Sequence, residues 1–281
     1  MINLIKVFNM LSRHPRSARV FSALCLKRTG LSHLFRIRHQ DFVLRFYPTA
    51  LSTAMFIDPD CRKVDHDFFH SYLRAEDVVV DIGANVGTLT LTASTCVGDR
   101  GKVMAFEPHP QTFKILLKNI RLNRRSNICP FNVALGERAY VARFSSSRVG
   151  DDQNAILSSD EGLHVPVRDL DSFLGEEMRV ALLKIDVEGY EPLVLFGARE
   201  TLKRTKCIYF ESCEAYFMKY GYRCSDLFRF LHQNGFSVYR VSDRKIYQLP
   251  IGYVSHEHED LVAVRDTADF IRRTRFRIEA A

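Results

Sequence analysis

The stretch Val78-Val79-Val80-Asp81-Ile82-Gly83-Ala84-Asn85-Val86-Gly87 constrains the fold of this chain more than any other. Three β-branched residues in a row specify a buried strand. Gly83 and Gly87 then allow a sharp turn and let the backbone approach a ligand with no Cβ in the way. The pattern predicts a helix from Thr88 to about Cys96, whose free N–H groups point back at that ligand. Glu107 lies 20 positions beyond Gly87, at the end of a second strand, Val103-Met104-Ala105-Phe106-Glu107. A glycine turn after one strand and an acid after the next make a nucleoside site, because the acid can accept both ribose hydroxyls.

The spacing D-x-G-x-N-x-G differs from the G-x-G-x-x-G of dinucleotide sites, in which a pyrophosphate rests on the helix N-terminus. Asp81 places a carboxylate at the strand end, where it would repel a pyrophosphate. It suits a ligand that carries an ammonium and a sulfonium, such as S-adenosylmethionine. The competing readings are an ordinary βα turn that binds nothing, a nucleoside-binding protein without catalysis, and an NAD-dependent dehydrogenase. Asp81 and the absent third glycine speak against the dehydrogenase.

Strand and helix patterns alternate along most of the chain. Strands are expected at 78–82, 103–107, 128–133, 180–186, 207–212 and 236–241. Helices are expected at 87–97, 110–123, 190–203 and 225–234, the last capped by Asn234-Gly235. Between them, 141–146 and 163–167 read as strands around a polar loop at 150–154, and 169–174 as a short helix. A final strand pair, 244–249 with 260–265, closes the pattern. Such alternation predicts a mostly parallel sheet with helices on both faces, with ligands bound outside the carboxyl ends of the strands. Upstream, residues 1–29 read as helical, with Leu4, Val7, Phe8 and Leu11 on one face. Residues 42–47 read as a strand and 65–74 as a helix.

A second acidic cluster, Lys184-Ile185-Asp186-Val187-Glu188-Gly189-Tyr190-Glu191, follows the apolar Leu182-Leu183. Asp186 is expected at the strand end on the same sheet edge as Gly83, with Glu188 in the turn and Glu211 at the end of the next strand. Acids grouped there can act as base, position a hydroxyl or share a divalent cation. Asp186 is the first candidate for the base, with Glu188 and Glu211 behind it. The plainer reading of Glu188 is a charge that favours a helix N-terminus. His109 suits helix capping or contact with the nucleoside. His256 and His258 form an H-x-H pair without a third metal ligand evident in the sequence, so no metal ligand set is assigned.

Four segments together, VVVDIGANVGTLTL at 78–91, AFEPHP at 105–110, FNVALGE at 131–137 and LLKIDVEGYE at 182–191, resemble the FkbM family of S-adenosylmethionine-dependent methyltransferases. The resemblance runs over about residues 65–265, and LLKIDVEGYE is its most specific part. One departure is Arg74-Ala75-Glu76-Asp77, where the loop before the first strand usually carries a glycine. The resemblance implies a class I methyltransferase fold, Rossmann-like with a seven-stranded sheet, and O-methylation of a sugar, polysaccharide precursor or natural product. It also implies that Ala84, Asn85, Pro108, Asn132 and Ala134 join Asp81, Gly83, Gly87 and Glu107 in holding the cofactor.

The 281 residues carry a net charge of +7, unevenly spread. Residues 1–50 hold nine Lys and Arg against Asp41 alone, so the rest of the chain is close to neutral. This divides the chain into a basic N-terminal extension, 1–55, and a methyltransferase domain, 56–281. Such an extension suits an anionic membrane surface or a solvated cap on the fold. No basic stripe interleaved with aromatics or other nucleic-acid motif is evident, so a small-molecule or glycan acceptor is expected and nucleic acid is not. Seven cysteines without a C-x-x-C pair suggest reduced thiols in the cytoplasm. Neither a spanning apolar run nor a signal peptide is read.

Overall fold

The valine run at 78–80 forms an interior strand of the computed structural model, which describes residues 15–145, 154–157 and 162–279. Before it come helix α1 (Ser17–Thr29), a hairpin of β1 (Arg36–Arg38) and β2 (Val43–Arg45), and helices α2 (Ala50–Ile57) and α3 (Lys63–Tyr72). The alternating part then runs β3 (Val78–Ile82), α4 (Thr88–Val97), β4 (Lys102–Phe106), α5 (Pro110–Leu122) and β5 (Ile128–Phe131). A small four-stranded sheet follows, β6 (Ala134–Leu135), β7 (Tyr140–Phe144), β8 (Ile156–Leu157) and β9 (Leu163–Arg168). Alternation resumes with β10 (Val180–Ile185), α6 (Glu191–Phe196), α7 (Arg199–Lys203), β11 (Thr205–Ser212), α8 (Glu214–Phe217), α9 (Cys224–Gln233) and β12 (Ser237–Ser242). The described chain ends with β13 (Lys245–Gln248), β14 (Glu259–Val264), α10 (Thr267–Thr274) and β15 (Arg277–Glu279).

The main sheet has nine strands in the order β15-β13-β12-β14-β11-β10-β3-β4-β5. Strands β5, β4, β3, β10 and β11 are parallel, and β14 runs antiparallel to β11. The expected seven strands form one contiguous row, and β13 and β15 lengthen its edge. Successive residues of a strand point to opposite faces, so Val79 enters one core and Val80 the other. The first core joins α3 and α4 to Ile37, Phe42, Leu44 and Phe46 of the hairpin segment. The second is closed by α6, α7 and α9. Sequence order reverses between β3 and β10, and a crevice opens at their carboxyl ends.

Several local expectations are corrected. Segment 169–174 is a turn, because the Asp169 carboxylate accepts from the Ser172 N–H at 2.9 Å. Segment 190–203 breaks into two helices at Gly197, where the backbone presses on the Gly136 carbonyl too closely for any Cβ. The final strands do not pair with each other. Asp243 and Arg244, at φ 47° and 60°, form a two-residue turn that folds β13 onto β12, and β14 inserts between β12 and β11. Helix α1 ends at Gly30 in the left-handed conformation. Leu4, Val7, Phe8 and Leu11 and most of the polar loop at 150–154 lie outside the described residues. All seven cysteines are free. No helix among the described residues is long and apolar enough to cross a membrane.

Candidate functional site

Lys184 organises the crevice. It sits inside an apolar strand in register with Asp81 of β3, and it is almost completely buried. Its ammonium lies 3.0 Å from Asp81 Oδ1 and donates to the carbonyls of Ile82 and Gly83 at 3.1 and 2.8 Å. The other Asp81 oxygen accepts from the Thr90 hydroxyl at 2.5 Å. Asp81 is therefore a fully buried strand residue paired with Lys184, and it does not itself line the crevice. The structure thus places Asp81 behind the crevice wall with Lys184 as its cationic partner, rather than among the groups that face a ligand.

The turn after β3 is shaped by packing as much as by ligand approach. Gly83 has φ +76°, and a Cβ there would collide with the Asp186 carbonyl. Gly87, at φ +95°, starts α4 and leaves room for Leu116 of α5. It does not line the crevice. Gly83, Ala84 and Asn85 do line it. Asn85 adopts φ +50° and donates its N–H to Glu107 Oε2 at 2.9 Å, while the His109 N–H donates to Oε1 at 2.8 Å. Burial pushes the Glu107 carboxyl up to about 7, against the pull of these two N–H groups. Pro108 and Ala134 complete this wall. Asn132 stands outside it, clamping the Glu107 and Pro108 carbonyls at 2.8 and 2.9 Å. His109 caps α5 by accepting from the Thr112 N–H.

The other end of the crevice is acidic. Asp186, Glu188 and Glu211 bring their carboxylates within 4.8 Å of one another. Glu188 is held there in the left-handed region, φ 60°, a conformation uncommon for a side chain of this kind. Asp186 Oδ2 lies 3.5 Å from Arg62 Nη2 and 3.8 Å from Lys184 Nζ. Burial alone would raise its pKa, but the two cations outweigh it and hold the carboxyl below the usual range. Glu211 moves the other way. Burial and then the charge of Asp186 raise it, although His258 Nδ1 sits 2.9 Å from its Oε1. Of the two, Glu211 holds a proton more readily.

Sequence reading missed Arg62, Lys184 and the part played by His258. Arg62 stands just before α3 and is fixed by Asp65 at 2.7 Å, which also accepts from the Tyr209 hydroxyl. Nothing local in the sequence ties Arg62 to Asp186, 124 positions on. Lys184 did leave a signal, a lone cation inside an apolar strand. His258 pairs with Glu211 and belongs to no metal cluster among the described residues. His256 does not line the crevice.

Between the two ends, Ile82, Phe106, Val133 and Leu135 form an apolar wall. The crevice thus offers an apolar slot, a carboxylate beside it at Glu107 and an acidic far end. That donor set fits an adenine ring, a ribose and a sulfonium in turn, which is the chemistry of S-adenosylmethionine.

Known proteins give a concordant picture. The chain matches the methyltransferase FkbM domain over residues 81–238. It is 30% identical over 181 residues to methyltransferase 1 of Beauveria bassiana, covering 56% of this chain and 72% of that protein. It is 28% identical over 138 residues to the hexuronic acid methyltransferase AglP of Haloferax volcanii, covering 48% of this chain and 56% of the relative. The match thus spans little more than half of the archaeal protein. A solved FkbM methyltransferase from Methylobacillus flagellatus is 14% identical, with 88% of this chain and 59% of that one covered and a TM-score of 0.43, a likeness too distant to carry an argument.

Proposed function

Because this chain belongs to the FkbM methyltransferase family, we propose that it transfers the methyl group of S-adenosylmethionine to a hydroxyl of a sugar, polysaccharide precursor or natural product. The observation that carries this reading is the meeting of Asp186, Glu188 and Glu211 beside the Gly83 turn. When bound, S-adenosylmethionine supplies an electrophilic methyl carbon with its own leaving group. The chain must then hold a hydroxyl in line, take its proton and keep water out. Asp186, kept ionised by Arg62 and Lys184, accepts a hydrogen bond from the acceptor and orients it. Glu211 takes the proton, with His258 fixing the carboxylate. This ordering replaces Asp186 as first choice of base, because a carboxylate facing two cations is a weak one. Glu188 positions a neighbouring hydroxyl.

The archaeal relative named a hexuronic acid methyltransferase supports a sugar acceptor. A neutral hydroxyl fits this site better than a sugar carboxylate, which Glu188 and Glu211 would repel. The same three acids suit a divalent cation, but Arg62 and Lys184 already balance Asp186. Free thiols are compatible with work in the cytoplasm. Hydride transfer loses its support against a methyltransferase family match.

The test uses labelled S-adenosylmethionine with a lipid-linked glycan fraction as acceptor. The parent should incorporate label that resists mild alkali, as an ether does. Glu211→Gln should lower turnover by about 10²–10⁴-fold, the usual worth of a general base, with affinity for S-adenosylhomocysteine unchanged. Asp186→Asn should raise KM more than it lowers kcat. Alkali-labile label would point to carboxyl methylation, and undiminished turnover in Glu211→Gln would remove it as base.

A further inference from the structure

Ten large hydrophobic side chains are exposed among the described residues, and five of them fall within 21–35: Phe21, Leu24, Leu31, Leu34 and Phe35. Phe21 is 56% exposed and Leu34 66%. Helix α1 spends its inner face, Val20 and Ala23, on packing against α2. Phe21 and Leu24 stand one turn apart on another face, and Arg28 continues it by spacing. After Gly30 turns the chain, Leu31, Leu34 and Phe35 follow. Strand β1 then alternates, with Ile37 in the core and Arg36 and Arg38 outward. From 15 to 40 the chain has six Lys and Arg and no acid.

We propose that the surface formed by α1 and residues 31–38 docks on an anionic lipid bilayer, the apolar side chains entering the interface and Arg28, Arg36 and Arg38 meeting the headgroups. A patch of this length rimmed by cations has the chemistry of an interfacial anchor. A second copy of the chain is the poorer occupant, since a twofold contact would set Arg28, Arg36 and Arg38 of each copy against those of the other. The place in the fold adds weight. Helix α2, on which α1 rests, contributes Leu51 to the lining of the active-site crevice. A bilayer on this side therefore brings a membrane-held acceptor close to the site. The docking itself does not depend on the reaction proposed above.

The experiment is co-sedimentation of the full chain with vesicles of phosphatidylcholine containing 30% phosphatidylglycerol, beside vesicles of phosphatidylcholine alone, at about 50 and 300 mM salt. Binding to the anionic vesicles, falling with salt and weak on the neutral ones, is expected. Each basic residue near an anionic leaflet contributes about fivefold, so Arg28→Gln, Arg36→Gln and Arg38→Gln together should weaken binding by on the order of 100-fold. Phe21→Ser with Leu34→Ser should weaken it further, with an unchanged circular-dichroism spectrum. Absence of binding at low salt would overturn the proposal. So would equal binding to neutral vesicles, or a stable dimer in solution that Phe21→Ser dissociates.

Discussion

Lys184 shows how one side chain can hold a site together without reacting. Its ammonium satisfies Asp81 inside the sheet, fixes the carbonyls of Ile82 and Gly83 where β3 gives way to the turn, and reaches toward Asp186 at the crevice. Removing one partner of a buried ion pair costs more than removing both, because the survivor is left charged in a poor solvent. Lys184→Met should therefore lower unfolding free energy by about 3–5 kcal/mol, and adding Asp81→Asn should restore most of it. Denaturant unfolding measures both. Equal stability of Lys184→Met and parent would mean that the pair contributes nothing to the fold.

At the scale of elements, the β1–β2 hairpin is fastened to the helices by a polar latch. The Asp41 carboxylate sits 2.8 Å from His70 Nε2 on α3 and accepts from Thr92 on α4 at 3.1 Å. Asn123, after α5, exchanges two hydrogen bonds of 2.8 Å with the Val43 backbone. His66 lies behind the latch, its Nδ1 2.9 Å from the Thr92 hydroxyl and its ring tilted 4.4 Å from that of His39. Burial, and then His39, push His66 down to about 4. An unfolded histidine takes its proton near 6.5. Between pH 6.5 and 4 the unfolded chain thus binds more protons at this position, so the contribution of His66 is complete above pH 6.5 and is lost as pH falls. From pH 7 to 4.5 the parent should lose on the order of 2 kcal/mol more stability than His66→Gln. Carboxylates such as Glu107, which titrate in the opposite sense, largely cancel in that difference. Parallel curves for the two proteins would show that His66 is not held neutral.

For the whole molecule, the sequence made the sheet and the position of the crevice legible because both rest on short-range pattern. Val79 and Val80 are apolar on both faces, as a central strand requires, and the strand ends at Gly83 and Asp186 fall on one edge by counting. The site was legible as a set of acids but not as an electrostatic arrangement. Which acid is ionised depends on Arg62 and Lys184, and which can take a proton depends on burial and on His258, all of them contacts between distant segments. Of the hairpin, β2 was legible as the apolar run at 42–47, but its partner β1 and α10 were missed, since their apolar residues are few and find their partners only in the assembled core. The central claim is that the crevice binds S-adenosylmethionine with Glu107 on the ribose. Its most direct measurement is calorimetry of the parent and of Glu107→Gln with S-adenosylhomocysteine at pH 8 and pH 6. The ionised carboxyl is the form that accepts ribose hydroxyls, and burial sets it near 7. The parent should therefore bind, and bind about tenfold more weakly at pH 6 than at pH 8. Glu107→Gln should bind at least about tenfold more weakly than the parent at pH 8, as for a lost hydrogen bond to a charged group, and should show no such pH dependence. A parent that does not bind S-adenosylhomocysteine, or a Glu107→Gln variant that binds it like the parent at both pH values, would contradict the account.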